Sequence, residues 1–130
     1  MSLLVDTHAF LWFLSGDGQL SGAAREAIEQ DSGTPALSVG SVWELAIKTS
    51  IGKLELRASL ERVVSEALDS GFALQPLTLL QLDRVSRMPF PDSGHKDPFD
   101  RLIAAQALDL GWALVSRDSS FDDYGVRRVW

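Results

Sequence analysis

The sequence has 130 residues, of which 45% are hydrophobic and 23% are charged, a composition typical of one globular domain with a buried core. Its formal net charge is −6 and it contains no cysteine. These values argue against broad, non-specific binding to nucleic acid and exclude disulfides, thiolate zinc sites and a cysteine nucleophile. We expect a single domain over residues 1–130, located in a reducing cytoplasm, with no signal peptide. No membrane association is predicted, because no apolar run reaches the roughly 20 residues that span a bilayer.

Short apolar runs alternate with helical patterns along the chain. Residues 3–5 predict a buried strand that ends at Asp6, and residues 112–116 predict the clearest strand, which is followed by Arg117 and Asp118. Further strands are predicted at 36–39, 72–74 (at a sheet edge, because of Pro76) and 127–130. The predicted helices cover residues 9–14, 21–29, 42–51, 59–69, 78–88 and 98–110.

This alternation predicts an α/β fold with three layers, in which helices cover both faces of a parallel sheet of four or five short strands. The functional crevice of such a sheet lies at the carboxyl ends of its strands. Asp6 and Asp118 directly follow predicted strands, while Glu44 and Asp100 lie in the N-terminal halves of predicted helices. We therefore expect these four carboxylates to converge on one place.

The segment 95–107, HKDPFDRLIAAQA, begins the most sharply defined helix. Asp97 is a good N-cap, and Pro98 falls at the first helical position, where its missing N–H costs nothing. Asp100 lies on the same helix face as Ala104 and Ala107, which predicts a buried stripe of small residues. A carboxylate there is expensive unless it is paired or holds a metal ion. The alternative is that Asp100 merely completes the N-terminal cap.

The predicted helix at 42–51 is apolar nearly all round, and Gly52 follows it as a candidate C-terminal cap. Glu44 shares its face with Ile47 and Ile51, which favours a carboxylate that points inward. The alternative is an exposed ion pair between Glu44 and Lys48 at i,i+4 spacing, worth about 0.3–0.5 kcal/mol.

Four acids in one pocket repel one another unless cations neutralise them. Ligands that are all oxygen select hard ions, so Mg²⁺ or Mn²⁺ is expected. Such ions suit in-line hydrolysis of a phosphodiester. Basic residues beside the acids in sequence could support the site or contact phosphates, or could simply be surface residues: Lys48, Lys96, Arg101 and Arg117.

Four stretches, in this order, resemble PIN-domain proteins of the VapC toxin type: LLVDTH at 3–8, VWELAIK at 42–48, HKDPFDRLIAAQA at 95–107 and VSRD at 115–118. The resemblance covers essentially the whole chain. It implies a PIN-like fold and a Mg²⁺-dependent endoribonuclease, the toxin of a type II toxin–antitoxin pair. The implied partners are RNA and a cognate antitoxin protein, and a homodimer is expected.

On this resemblance the catalytic and metal-binding acids are Asp6, Glu44, Asp100 and Asp118. Asp97 is implied as a support or an outer ligand, although its role as a cap explains it equally well. Asp122 and Asp123 follow Asp118 closely and could take part.

Other functions remain open at this point. A PIN nuclease with a processing role and no antitoxin would have the same residues. A haloacid-dehalogenase-like phosphatase needs a second acid two residues after the first, where this chain has His8. A receiver-like module needs a lysine after a late strand, and a nucleotide-binding module needs glycine spacings that are absent here. His8 and His95 are interpreted as ordinary polar residues at a helix start and in a loop.

Overall fold

The computed structural model describes residues 2–30 and 33–130. Its strands are β1 (Leu3–Val5), β2 (Pro35–Ser38), β3 (Ala73–Gln75), β4 (Ala113–Val115) and β5 (Arg128–Val129). Its α-helices are α1 (Thr7–Ser15), α2 (Gly22–Glu29), α3 (Val39–Ser50), α4 (Leu60–Asp69), α5 (Leu79–Arg87) and α6 (Pro98–Leu110). A 3-10 helix (Ser119–Tyr124) lies between β4 and β5. Within the described ranges, no helix has the length and hydrophobicity needed to cross a membrane.

All strand pairings in the sheet are parallel, in the order β3-β2-β1-β4-β5. The central strand β1 pairs on both sides, with Leu4 opposite Ala36 of β2 and Leu114 of β4. The predicted parallel sheet is confirmed, and β3 lies at its edge as the nearby Pro76 indicated. Because all five strands run the same way, their carboxyl ends meet at one edge of the sheet.

The core has two parts, one on each face of the sheet. Val5 of β1 packs in a cluster with Phe10 of α1 and Leu45 of α3. Its neighbour Leu4 packs on the other face with Ile103 of α6. Successive side chains of a strand point to opposite faces, so this alternation places helices on both sides and confirms the three-layer α/β/α architecture.

The junction between β2 and α3 differs from the prediction. The strand ends at Ser38, and the helix starts at Val39 rather than at residue 42. The reason is a cap, because the Ser38 hydroxyl oxygen accepts a hydrogen bond from the Gly40 N–H at 3.0 Å. A Cβ at Gly40 would lie 2.8 Å from Cδ2 of Leu102, so the glycine allows α3 to approach α6 closely. This contact brings the first turns of the two helices beside the sheet edge.

Candidate active site

A crevice of about 440 Å³ lies where β1 and β4 end. Its lining includes all four acids singled out in the sequence, Asp6, Glu44, Asp100 and Asp118, and three of the expected supporting residues, Lys48, Asp97 and Arg117. The structure thus brings together side chains that are up to 112 positions apart in the chain, as the strand-end argument predicted.

Asp6 links the end of β1 to the start of α1. Its Oδ1 accepts a hydrogen bond from the N–H of Thr7 at 2.8 Å, and its Oδ2 accepts one from the Ser116 hydroxyl at 2.8 Å. The Ser116 oxygen also accepts the N–H of Asp118 at 3.1 Å, which ties the two strand ends together. Burial raises the pKa of Asp6 above its ordinary value, and these hydrogen bonds only partly offset that effect.

Glu44 points inward from α3 and is only 5% exposed. Its Oε1 accepts a hydrogen bond from the Thr7 hydroxyl at 2.7 Å, and the ammonium of Lys48 donates to its Oε2 at 2.6 Å. The predicted inward carboxylate and the i,i+4 pair therefore exist together, and the alternative of an exposed pair is wrong. The hydrogen bond with Glu44 raises the pKa of Lys48, so this lysine stays charged beside the acids.

Asp97 is the N-cap of α6 and Asp100 lies in its first turn, and the two have different roles. The cap is made by Asp97, whose Oδ1 accepts the N–H groups of Phe99 at 2.9 Å and Asp100 at 3.0 Å. The Asp100 side chain is not needed for the cap, which removes the alternative interpretation of this residue. Burial, followed by the charges of Asp6 and Asp97, raises the pKa of Asp100 to about 7.

His95 was interpreted from the sequence as an ordinary loop residue, and the structure corrects this. Its Nε2 lies 3.0 Å from Oδ2 of Asp100, and its Nδ1 lies 2.8 Å from the hydroxyl oxygen of Tyr124. His95, Asp100 and Asp118 each offer a ligand atom, and these three atoms lie within 4.8 Å of one another. The group could therefore hold a metal ion.

The two expected arginines occupy different environments. Arg117 lines the crevice and is exposed. Arg101 is only 5% exposed, donates to the backbone oxygen of Met88 at 2.7 Å and lies over the ring of Phe90 at 4.0 Å. The expected phosphate contact of Arg101 is therefore corrected: its guanidinium holds the chain after α5. Lys96 is exposed and lies outside the crevice lining.

The acids that follow β4 are also separated by the structure. Asp122 forms a two-pronged pair with Arg128, at 3.0 and 3.1 Å, and Asp123 accepts a hydrogen bond from the Ser93 hydroxyl at 3.1 Å. Neither of them lines the crevice, whereas Asp118 does. Of the three candidates, the geometry favours Asp118.

The sequence model of the PIN domain family matches residues 3–126. The chain belongs to the PIN domain family. It is 29% identical over 117 residues to Ribonuclease VapC22 of Mycobacterium tuberculosis (strain ATCC 25618 / H37Rv), a match that covers 90% of this chain and 87% of the relative. The family assignment agrees with the resemblance seen in the four sequence stretches.

Solved structures show the same PIN fold at low sequence identity. VapBC2 from Rickettsia felis, bound to a DNA fragment from its promoter, matches with a TM-score of 0.71 and 14% identity over 98% of this chain and 97% of that one. VapBC-1 from nontypeable Haemophilus influenzae matches with a TM-score of 0.64 and 15% identity over 98% and 96%. FitAcB from Neisseria gonorrhoeae matches with a TM-score of 0.63 and 20% identity over 98% and 96%.

The crevice of this PIN domain suits a hard divalent cation. Its acids offer carboxylate oxygens, which are the ligands that Mg²⁺ and Mn²⁺ prefer. Burial is the largest cause of the raised pKa values of Asp6 and Asp100, and repulsion between neighbouring acids adds to it. A bound cation would relieve this repulsion, so the donor set and the electrostatics agree.

Proposed function

We propose that this PIN domain is a Mg²⁺- or Mn²⁺-dependent endoribonuclease and the toxin component of a type II toxin–antitoxin pair. The observation that carries the proposal is the convergence of Asp6, Glu44, Asp100 and Asp118 in one crevice at the carboxyl edge of the sheet. The relative named Ribonuclease VapC22 and the solved VapBC structures support the same assignment.

In this proposal the four acids hold the metal, which when bound activates water and neutralises charge on the scissile phosphodiester. Thr7 holds Asp6 through its N–H and Glu44 through its hydroxyl, so one residue fixes two acids. Lys48 donates a hydrogen bond to the buried Glu44 and holds its carboxylate in place. Arg117, at the mouth of the crevice, is positioned to bind a phosphate of the RNA.

Cleavage of RNA by the purified protein tests the catalytic part of the proposal. We expect a structured RNA to be cut in its single-stranded loops, because a narrow cleft needs a strand that can be splayed out. Activity should require Mg²⁺ or Mn²⁺, disappear with EDTA and fall at least about 100-fold in Asp6→Asn. Asp92→Asn, a change in an exposed loop away from the crevice, is the matched control and should cut normally.

Three outcomes would contradict this part. Full activity in EDTA would show that cleavage does not require a metal ion. Full activity of Asp6→Asn would show that the acidic crevice is not the catalytic site. Hydrolysis of small phosphate monoesters alone would favour the phosphatase.

A groove beside the crevice, lined by both apolar and charged side chains, supports a protein partner. The groove has a volume of about 770 Å³ and is formed by α1, α4 and residues 54–58. Its lining includes the apolar side chains of Leu11, Leu14 and Val63. Trp12 lines both the groove and the crevice, so a helix bound in the groove would lie next to the acids.

The partner is therefore expected to present an apolar helix and a basic side chain, most simply arginine, to the acidic crevice. Expression of the chain alone should arrest bacterial growth, and co-expression of the protein encoded next to it should restore growth. The Asp6→Asn variant serves as the non-toxic control. Normal growth at high expression of the folded wild-type protein would instead favour a PIN nuclease without an antitoxin.

We also propose a homodimer, for which α5 offers the best surface. Leu79, Leu80 and Leu82 of this helix are 81%, 73% and 48% exposed, an unusual cluster for a helix that faces water only. For comparison, α3 packs against α1, α4 and α6 and leaves Trp43 58% exposed. Light scattering should give the mass of a dimer, and Leu79→Lys together with Leu80→Lys should give a monomer. A wild-type monomer at high concentration would refute the dimer.

A further inference from the structure

The loop before α6 reaches the crevice through one side chain, that of His95. Its imidazole is held on both sides, with Nε2 at 3.0 Å from Asp100 Oδ2 and Nδ1 at 2.8 Å from the Tyr124 hydroxyl oxygen. The ring also packs edge-to-face on Tyr124, with 5.6 Å between ring centroids. The side chains of His95 and Asp100 are 15% and 19% exposed, so water competes weakly for this contact.

Tyr124 contacts His95 at two atoms. Its hydroxyl donates a hydrogen bond to the backbone oxygen of His95 at 3.3 Å, and the hydroxyl oxygen lies 2.8 Å from Nδ1 of the ring. On the other side of the ring, Nε2 lies 3.0 Å from Oδ2 of Asp100. The result is a chain of contacts from Tyr124 through His95 to Asp100.

This chain connects two of the candidate metal ligands. Tyr124 is the last residue of the 3-10 helix, and Asp118 is the N-cap of the same helix. Asp100 is thus linked by hydrogen bonds to the short element that begins at Asp118. Ligand atoms of both acids lie within 4.8 Å of each other and of the His95 ring.

The Asp100 carboxylate has few other restraints. Within residues 2–30 and 33–130, the hydrogen bond from His95 is the one that reaches its oxygens. The charges of Asp6 and Asp97 repel it. A carboxylate that is repelled and free to rotate binds a cation less well than one whose second oxygen is already fixed, because ordering it costs entropy on binding.

We propose that His95, held by Tyr124, is a positioning residue that fixes one oxygen of Asp100 and leaves the other oriented for a divalent cation. This inference rests on the metal site of the proposed function. No sequence motif joins His95 to Tyr124, because the two residues are 29 positions apart.

Titration calorimetry with Mn²⁺ on the full-length, metal-free protein tests the inference without using activity. We expect His95→Ala to weaken the affinity by about 10- to 100-fold, the usual effect of removing a hydrogen bond behind a metal ligand. His95→Gln should recover most of the affinity, because its amide offers a donor in place of Nε2. Tyr124→Phe should weaken binding by a smaller factor, since the imidazole then loses the contact at Nδ1 but keeps the one with Asp100.

Two further variants separate positioning from a general structural role. Ser93→Ala removes a different side-chain bond between the same loop and the 3-10 helix, that to Asp123, and should leave the Mn²⁺ affinity within about twofold. In the Asp100→Asn background, His95→Ala should cause no additional loss of affinity, because the two residues act as one unit.

The outcomes are distinct. If the wild type binds no Mn²⁺ or Mg²⁺, the metal-dependent function itself fails. If the wild type binds and His95→Ala binds equally well, only the inference is overturned. Loss of thermal stability in both His95→Ala and Ser93→Ala without a change in affinity would also overturn it. An imidazole nitrogen signal in the electron spin-echo spectrum of the Mn²⁺-loaded protein would make His95 a direct ligand and refute the positioning role. If His95→Ala does not fold, His95→Gln and Tyr124→Phe decide by the same measurement.

Discussion

Asp100→Asn is the perturbation that tests the electrostatics of the crevice most directly. Asparagine keeps the shape of the side chain and one acceptor oxygen for His95, but it carries no charge. Burial and the charges of Asp6 and Asp97 raise the pKa of Asp100 to about 7, against 3.8 for an unperturbed aspartate. The metal-free wild-type protein therefore ionises a carboxyl group at a cost that the variant avoids.

The free energy of unfolding depends on pH because the native and the unfolded protein bind different numbers of protons. Between pH 4 and pH 7 native Asp100 holds a proton that the unfolded chain has already lost, so the free energy of unfolding of the wild type falls as the pH rises. The rise in pKa from 3.8 to about 7 corresponds to a destabilisation of at most about 4 kcal/mol, which is fully present above pH 7 and absent below pH 4. Asp100→Asn lacks this loss, so it should match the wild type at pH 4 and exceed it by up to about 4 kcal/mol at pH 8.

Urea unfolding of both proteins from pH 4 to pH 8 in EDTA measures this difference. Asp92→Asn is the control and should follow the wild type throughout. Mg²⁺ should then raise the melting temperature of the wild type by mass action and that of Asp100→Asn much less. A stability difference that does not change with pH would refute the repulsion argument. A loss of several kcal/mol at every pH would show that Asp100 is a structural residue.

Three further changes test separate parts of the structure. Gly40→Ala should lower the free energy of unfolding by about 1–3 kcal/mol in urea titrations, because its Cβ would lie 2.8 Å from Leu102. Gly22→Ala is the control and should not lower the free energy of unfolding, because its Cβ would meet nothing within 4 Å. Arg101→Met should cost about 1–3 kcal/mol in the same assay, because it removes the donor to backbone oxygens after α5, yet leave the calorimetric Mn²⁺ affinity unchanged. Arg117→Ala should raise KM for RNA in cleavage assays while the stability stays the same.

The positions of the acids could be predicted because they depend on simple regularities. Leu3–Val5 and Ala113–Val115 are short apolar runs. Asp6 directly follows the first run, and Asp118 lies three positions after the second. Once the alternation of strands and helices predicts a parallel sheet, its geometry alone brings Asp6 and Asp118 to one edge. The inward face of α3, with Glu44 beside Ile47, followed in the same way from the helical period.

The partners of the acids could not be predicted, because they depend on the path of loops and on contacts between distant elements. Ser116 is the last residue of the predicted strand 112–116, and nothing in the neighbouring sequence indicates that its hydroxyl donates a hydrogen bond to Asp6, 110 positions away. His95 reaches Asp100 only because the loop before α6 folds against the 3-10 helix. The expected phosphate contact of Arg101 was wrong for a geometric reason. Arg101 is adjacent to Asp100 in sequence, but neighbouring side chains on a helix point about 100° apart, so Arg101 faces α5 instead of the crevice.

The excess of negative charge in the crevice affects both the binding of a metal ion and the proposed inhibition by a partner protein. Its lining contains five carboxylates but only two side chains with a permanent positive charge, Lys48 and Arg117. Lys48 is already bound to Glu44, and burial, with repulsion between the acids added to it, raises the pKa values of Asp6 and Asp100. Any added positive charge stabilises this arrangement, whether it is a divalent cation or an arginine of a partner protein. Because both would neutralise the same carboxylates, binding of one must weaken binding of the other by the same factor. In the proposed toxin, a basic side chain placed among the acids would therefore act by displacing the metal and would not need to cover the whole RNA-binding surface.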